Sequence, residues 1–243
     1  MTDDKKVCVA ICNYNHSKYL EESIHSILKQ THKNLDVVVV DDGSTDQDRV
    51  KEIIGYFSDE RLRSIFLEKN TGKWNALNEA FASTDAEICT SHDADDISLP
   101  WRIQAQVMTL VNTGTAHNLC GFTSCWNEDD VKTHLNDPMP VPEEFKIATG
   151  EDVVGAVNYG LCTPGINHFF TGQFETAGVS ALFYKKVWDI GFRFNPPGFG
   201  LRILNSEDSD FNCRVVLGIR KTSLLIEQPY LYRRNTSTNN ENK

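Results

Sequence analysis

The chain has 243 residues, a formal net charge of −10 and a hydrophobic share of 40%. This size and composition suit a globular protein with a substantial core and exclude a disordered chain. The acidic balance argues against nucleic acid or an anionic lipid surface as partner. The polar start Met1-Thr2-Asp3-Asp4-Lys5-Lys6 carries no signal-peptide core, and no apolar run reaches membrane-span length, so the expectation is a cytoplasmic protein without an integral membrane segment.

Residues 6–12 (Val7, Val9, Ile11) read as a first strand, followed by the turn-forming Asn13-Tyr14-Asn15-His16-Ser17 with Ser17 as a helix cap. Leu20, Ile24, Ile27 and Leu28 at helical spacing predict a helix over 18–30. Residues 35–40 form an apolar, β-branched run of the kind found in a strand buried on both faces, and it ends in Asp41-Asp42-Gly43-Ser44-Thr45-Asp46. Val50, Ile53, Ile54 and Phe57 mark a second helix. Residues 62–67 predict a third strand ending in Glu68-Lys69-Asn70-Thr71-Gly72-Lys73, and Trp74, Leu77 and Phe81 a third helix. Residues 86–91 predict a fourth strand. It runs into Asp93-Ala94-Asp95-Asp96, and Pro100 opens a fourth helix carrying Ile103, Val107, Leu110 and Val111.

Beyond Asn112 the pattern weakens. Residues 119–126 read as a strand, 127–150 as an acidic, proline-bearing loop or lid, and 155–178 as a glycine- and aromatic-rich stretch. Residues 180–184 are a strand candidate and 191–204 a loop. Ser206-Glu207-Asp208-Ser209-Asp210 caps a helix with Phe211, Val215 and Val216. Two short strands follow at 222–226 and 229–232, and the polar tail frays from Arg234. The seven cysteines are odd in number and several lie in strand-like runs, so reduced, buried thiols are expected. His117, Cys120, Cys125 and His134 lack the paired Cys-x-x-Cys spacing of a zinc site.

Four consecutive strand–helix units imply a parallel sheet with right-handed crossovers and helices on both faces, with ligands bound along the strands' carboxyl edge. The four polar clusters at 13–17, 41–46, 70–73 and 93–96 all fall on that edge, which reads as one site. Asp93 and Asp95 could share a divalent ion, a hard cation that takes oxygen ligands and would leave positions for a diphosphate. Lys73 could add charge to that diphosphate. Asp41, ending a buried strand, either bonds a nucleoside or caps the next turn through Ser44 and Thr45. A dinucleotide fold would carry Gly-x-Gly-x-x-Gly where Cys12-Asn13-Tyr14-Asn15-His16 stands, a P-loop is absent, and an aspartyl phosphatase would place its Asp-x-Asp on the first strand rather than the fourth. Glu207 and Asp208 also suit the first turn of a helix, where acids favour the dipole. His92, His168, Trp74, Trp126 and Trp188 carry no distinct signal and read as packed or solvated.

Taken together, residues 7–15, Tyr19-Leu20-Glu21-Glu22-Ser23-Ile24, Gln30-Thr31, Val39-Val40-Asp41-Asp42-Gly43-Ser44-Thr45-Asp46, Asn70-Thr71-Gly72-Lys73, Ala76-Leu77-Asn78 and Asp93-Ala94-Asp95-Asp96 resemble the family-2 glycosyltransferases of the GT-A fold. The match covers roughly residues 6–110. It is looser beyond, through Ser180-Ala181-Leu182-Phe183, Ile190-Gly191-Phe192, Glu207-Asp208 and Tyr232-Arg233. The resemblance implies an α/β GT-A domain over 1–233, with a nucleotide-binding half at 6–112, an acceptor-binding half at 113–233 and a polar tail at 234–243. It implies an inverting transferase that moves a sugar from a nucleotide diphosphate, a UDP-sugar first, to a hydroxyl of a glycan or glycoconjugate in polysaccharide synthesis. The loop 10–14, through Ala10, Cys12 and Tyr14 above all, and Asp41 would hold the nucleoside, with Asp42, Asn70, Lys73, Asp93 and Ala94 lining the pocket. Asp95, with Asp93, would hold Mn²⁺ or Mg²⁺. Asp208 would be the general base with Glu207 beside it, and Arg233 would touch the diphosphate. Many relatives carry Tyr-Arg-x-His near the end; this chain has Tyr232-Arg233-Arg234-Asn235. Two other readings remain. A sugar-1-phosphate nucleotidyltransferase should show a glycine-rich loop with arginine and lysine after the first strand, and a non-catalytic sugar-binding module would not need Asp208.

Overall fold

The computed structural model describes residues 4–136, 140–149, 169–170, 175–176, 178–196, 207–234 and 236. The expectations for Cys162, His168, Asn235, most of 155–178 and the latter part of 191–204 fall outside these residues.

The first half alternates as its sequence demands. Strand β1 (Val7–Asn13), helix α1 (Ser17–Leu28), β2 (Leu35–Asp41), α2 (Gln47–Gly55), β3 (Leu62–Phe66), α3 (Lys73–Ala82), β4 (Ile88–Asp93), the short β5 (Ile97–Ser98) and α4 (Arg102–Thr113) follow one another. β3, β2, β1 and β4 lie side by side in parallel, with Asn13 opposite Asp41 and Cys12 opposite Asp93. Successive strand residues face opposite sides of a sheet, and both sides here are covered. Val7, Val9, Ile11, Val37 and Val39 pack on α1, α2 and α4 through Leu20, Ile24, Ile27, Val50 and Val107. The alternate residues Cys8, Ala10, Val38 and Val40 pack on α3 through Ala76, Leu77 and Phe81. A strand buried on both faces reads as a continuous apolar run, and β2 does so from Val37 to Val40; Asp36 near its start is buried but bonded by Arg63 and Thr84.

The second half contributes β6 (His117–Cys125), α5 (Glu128–Asn136), β7 (Ile147–Thr149), β8 (Phe169–Phe170), β9 (Glu175–Thr176), a 3₁₀ turn at Gly178–Ser180, β10 (Leu182–Tyr184), α6 (Lys185–Asp189), α7 (Glu207–Ile219) and β11 (Thr222–Arg233). The sheet runs β3-β2-β1-β4-β10-β6-β11-β5. β10 is antiparallel to both β4 and β6 and lies between them, whereas β6 and β11 are parallel. Its Phe183 is fully buried, edge-on to Phe81 at 5.6 Å between ring centres and 5.0 Å from Phe211. One strand thus joins α3 to α7 across the sheet. Among the described residues no helix is long and apolar enough to cross a membrane.

Three expectations are corrected. The 127–150 loop contains the helix α5, whose free N-terminal groups are capped by Asn127 Oδ1 accepting the Asp129 and Asp130 N–H groups at 2.9 Å each. Only Val131 is buried on it, so it has no apolar stripe to read. The two short strands at 222–226 and 229–232 are one strand, β11, with a register shift between Leu225 and Tyr230; Pro229 falls in that irregular stretch, where a missing donor is tolerated. The cap of α1 is His16 rather than Ser17, and its side chain makes no capping hydrogen bond.

Phe183→Ala should lower unfolding free energy by about 3–5 kcal/mol, the usual cost of deleting a buried phenyl ring. Urea unfolding monitored by fluorescence and by circular dichroism should show a shifted midpoint with both probes still coincident.

Candidate active site

A cleft of about 460 Å³ opens at the carboxyl ends of β1, β2 and β4, lined by Cys12, Asn13, Tyr14, His16, Asp42, Asn70, Gly72, Lys73, Asp93, Ala94, Asp95, Tyr232 and Thr236. Most of the expected donor-side residues therefore come together. Asn13 is among them as part of the loop 10–14, and His16, Gly72, Tyr232 and Thr236 join without having been assigned roles from the sequence. The hint for Asn13 and His16 was their place in the first strand-end cluster. Thr236 had none, since its reach into the cleft depends on where β11 ends in space.

The electrostatic centre is Lys73, the first residue of α3. Its Nζ lies 2.7 Å from Asp93 Oδ1, 3.0 Å from Asp208 Oδ2 and 3.5 Å from Glu207 Oε1. Burial disfavours the ammonium, but Asp208, Asp93 and Glu207 outweigh that and hold its pKa well above the ordinary lysine value. Asp208 lies at the start of α7, and burial pushes its carboxyl up to about 7; Glu207 and Asp93 add to the rise and Lys73 opposes it. Asp208 Oδ1 is buried with no hydrogen-bond partner. The structure thus places Glu207 and Asp208 against Lys73 rather than among the residues that line the cleft.

Three residues sit elsewhere than their expected place in the pocket. Ala10 is in the core beneath the floor. Asp41 is fully buried behind the wall: one oxygen accepts the Ser44 N–H at 3.0 Å and the Gln47 amide at 3.1 Å, and the other accepts the Ser44 hydroxyl at 2.6 Å and the Asn13 amide at 2.8 Å. Of the two readings left open for Asp41, this geometry is the turn-capping one through Ser44. Because Asn13 donates its amide to Asp41, its Oδ1 is left over, buried and without a partner. Arg233 turns away from the cleft. Its guanidinium donates to the Asp95 carbonyl at 2.8 Å and to Glu22 and Glu128, and it lies 4.9 Å from the Tyr19 ring centre.

The walls are held by their own polar contacts. Asp42 accepts the Thr71 and Gly72 N–H groups at 2.8 Å each and the Thr71 hydroxyl at 2.9 Å, which fixes the β3–α3 loop and hence Lys73. Gly72 has φ +96°, and a Cβ there would meet the Trp74 ring at 2.6 Å, so only glycine fits. Behind the acidic motif, Asp96 is fully buried and bonded by the Tyr230 hydroxyl and the Arg233 N–H at 2.8 Å each. Burial, then Asp95 and Asp93, hold its pKa well above the carboxylate range. The wholly buried Arg102 donates to Thr90, Ser98, Gln106 and His92 and lies 5.1 Å from the Tyr230 ring centre. Burial, with Arg102 adding, keeps His92 neutral.

Among the described residues one cluster could hold a metal: Asp93, Asp95 and Asp96, whose ligand oxygens come within 4.8 Å of one another. Asp96 is already engaged on both oxygens, so Asp93 and Asp95 are the pair open to an ion. Burial, then Asp93, raises the Asp95 pKa, so a cation beside it would relieve a strained charge. His117, once considered with two cysteines for zinc, is bonded to Asn212 and Thr222.

A doubly covered α/β sheet with an acid-lined cleft at its strand ends is the arrangement that the GT-A resemblance implies. The model of the family "Glycosyl transferase family 2" matches residues 8–175, and the chain belongs to that family. It is similar to a putative teichuronic acid biosynthesis glycosyltransferase, TuaG of Bacillus subtilis strain 168, at 28% identity over 184 residues, covering 75% of this chain and 70% of that protein. Other curated relatives are matched over about a third of their length, 36% and 32% in two cases. The fold is similar to that of S. aureus TarS 1–349 in complex with UDP-GlcNAc, with a TM-score of 0.69 and 19% identity over 98% of this chain and 61% of that one. It is also similar to the mannosyltransferase PcManGT from Pyrobaculum calidifontis in complex with GDP-Man and Mn²⁺, with a TM-score of 0.61 and 18% identity over 98% and 60%.

Asp42→Ala should cost about 1–3 kcal/mol, since three donors lose their acceptor. Amide hydrogen exchange at Thr71 and Gly72 should accelerate while exchange in β1 and β2 changes only by the global loss.

Proposed function

We propose that the protein is a metal-dependent, inverting glycosyltransferase that moves a sugar from a nucleotide diphosphate, a UDP-sugar first, to a hydroxyl of a glycan or glycoconjugate in polysaccharide synthesis. The observation that carries this reading is the convergence of Asp93, Asp95 and Lys73 at one cleft, with Asp208 from the second half of the chain paired to Lys73. Family membership supports it, as do the UDP-GlcNAc and the GDP-Man with Mn²⁺ bound by the two structural neighbours. In this reading residues 6–112 bind the donor and 113–233 the acceptor. Six cysteines stand unpaired among the described residues, which fits a reducing cytoplasm.

Asp208 is the base. Its unpartnered Oδ1 can accept a hydrogen bond from an acceptor hydroxyl, and as a carboxylate it takes that proton while the oxygen attacks the anomeric carbon from the face opposite the leaving diphosphate. Glu207 stands beside it on the acceptor side. Lys73 holds Asp208 in place and presents positive charge to the donor phosphates. Tyr14 and Asn13 form the wall against which the nucleoside lies. Asp93 and Asp95 offer the hard oxygen donors that suit Mn²⁺ or Mg²⁺. Such an ion, held there, would supply positive charge to the leaving diphosphate.

Incubation with candidate nucleotide sugars, acceptors and Mn²⁺ should release nucleoside diphosphate. Asp208→Asn should lower kcat by about 10²- to 10⁴-fold, and Asp95→Ala should abolish the metal dependence. Pyrophosphate release would instead mark a nucleotidyltransferase; donor binding without turnover, unaltered by Asp208→Asn, would mark a binding module.

The pH dependence has a definite sign. A base acts deprotonated, so kcat/KM should rise with pH through about 7. Lys73→Met removes the cation that opposes the shift, and the limb should move to higher pH. Stability runs the other way: folded Asp208 keeps a proton that the unfolded chain releases near 3.8, so its contribution is full below that value and lost as pH rises through about 7. Thermal melts of wild type and Asp208→Asn across pH 4–8 should diverge in that direction.

A further inference from the structure

His16 occupies the N-cap of α1, where Ser, Thr, Asp or Asn usually bonds the helix's free N–H groups. Its side chain makes no such bond. The imidazole turns into the cleft instead, and Nδ1 lies 3.9 Å from Asp95 Oδ2 with only 18% of the side chain exposed. Thr236 donates its hydroxyl to the same carboxylate oxygen. Of the other two acids, Asp96 is engaged on both oxygens by Tyr230 and Arg233, and Asp93 pairs with Lys73 at 2.7 Å through Oδ1. Two ligands of one octahedral ion, each about 2.1 Å away, lie about 3.0 Å apart when adjacent and about 4.2 Å apart when opposite. The 3.9 Å between His16 Nδ1 and Asp95 Oδ2 is below that upper limit of about 4.2 Å, so one ion can reach both atoms, with a small adjustment of the loop bringing them to adjacent positions.

We propose that His16 is a ligand of the divalent ion at Asp95, contributing an imidazole nitrogen from the β1–α1 loop, and that this nitrogen makes the site select manganese over magnesium. The inference rests on the reading that Asp95 holds such an ion. The selectivity follows from ligand chemistry. Magnesium takes oxygen ligands and gives up its waters reluctantly, so an imidazole gains it little. A transition ion accepts nitrogen readily. An all-carboxylate site would treat the two ions more alike. The loop that carries His16 also carries Tyr14 and Asn13, so the ion and the donor-binding wall would be coupled through one short segment.

The test is direct. Three-pulse electron spin echo modulation of Mn²⁺ bound to the wild-type protein, with and without UDP, should show a nitrogen coupling that changes when histidine is labelled with ¹⁵N. This measurement needs no variant. In parallel, Mn²⁺ affinity is read from the free-ion resonance, and Mg²⁺ affinity by competition, for wild type, His16→Asn, His16→Ala and Asp95→Ala, each checked for folding by its thermal midpoint. His16→Asn and His16→Ala should weaken Mn²⁺ on the order of tenfold or more, at least the cost of losing an outer-shell partner. Mg²⁺ affinity should change by less than about twofold, and the nitrogen coupling should vanish.

Equal losses for both ions, unchanged Mn²⁺ affinity, or a histidine coupling that persists in both variants would overturn the assignment. Unchanged Mn²⁺ binding with weaker UDP binding would show instead that His16 touches phosphate, which also overturns it. Loss of Mn²⁺ in Asp95→Ala with none in the His16 variants would refute His16 alone. Wild-type protein that binds no Mn²⁺ even with UDP would refute the metal reading as well.

Discussion

One ammonium group organises this protein. Lys73 stands among Asp93 from the end of β4 and Glu207 and Asp208 from the start of α7, Asp208 lying 135 residues beyond Lys73 in the chain. Three carboxylates around one lysine leave an excess of negative charge, and Asp95 lies close by. Such charge is tolerated only if an acid holds a proton, if solvent reaches it, or if another cation arrives. The high pKa of Asp208 is the first of these responses. The metal ion proposed to accompany a diphosphate would be the third, placing positive charge where the acids are densest. The chemistry proposed for the site and the electrostatic imbalance of the free protein are two views of the same arrangement.

The surrounding architecture keeps that imbalance from relaxing. Asp42 ties the loop before Lys73, and Gly72 lets it turn there. Ser23 of α1 donates to the Asp93 carbonyl at 3.0 Å, and Gln30 at the end of α1 bonds both the Leu99 carbonyl and the Ile103 N–H. Beneath them Arg102, His92, Tyr230 and Asp96 form a buried polar layer whose members satisfy one another. Satisfied networks of this kind are rigid, because any displacement strands a polar group in a medium that penalises it. The acidic motif is therefore presented by a stiff backing, and only its outward side chains are left to meet a ligand.

The first half of the chain was readable because each of its elements must bury a face. The period of Val7, Val9 and Ile11, the four valines of β2 and the helical spacing of Leu20, Ile24 and Ile27 follow from that requirement, and the strand-end clusters fall on one edge as parallel topology dictates. The site was legible to the same extent: Cys12, Tyr14, Asp42, Asn70, Lys73, Asp93, Ala94 and Asp95 line one cleft. What escaped was decided by space rather than by period. α5 buries little beyond Val131 and is fixed by a cap. Asp41 and Asn13 are neighbours only through strand pairing, which settles which of their polar atoms is already bonded. Arg233 and Thr236 lie three residues apart, yet one turns to Glu22 and the other to Asp95. Sequence spacing alone does not resolve that divergence.

The placement of β10 has a consequence for how such a chain can be rearranged. The half that carries the most recognisable motifs ends near residue 113, yet its strand β4 is completed on one side by three residues from beyond position 180. Cutting between the halves would bare a β4 edge rich in unpaired backbone groups, the kind of edge that recruits other chains. It would also strip Phe183 from Phe81. The halves are interleaved like the fingers of two hands, so neither is a cassette that recombination or engineering could move by itself. Diversity is more easily gained in the segments that hang from the sheet than by exchanging the sheet's parts.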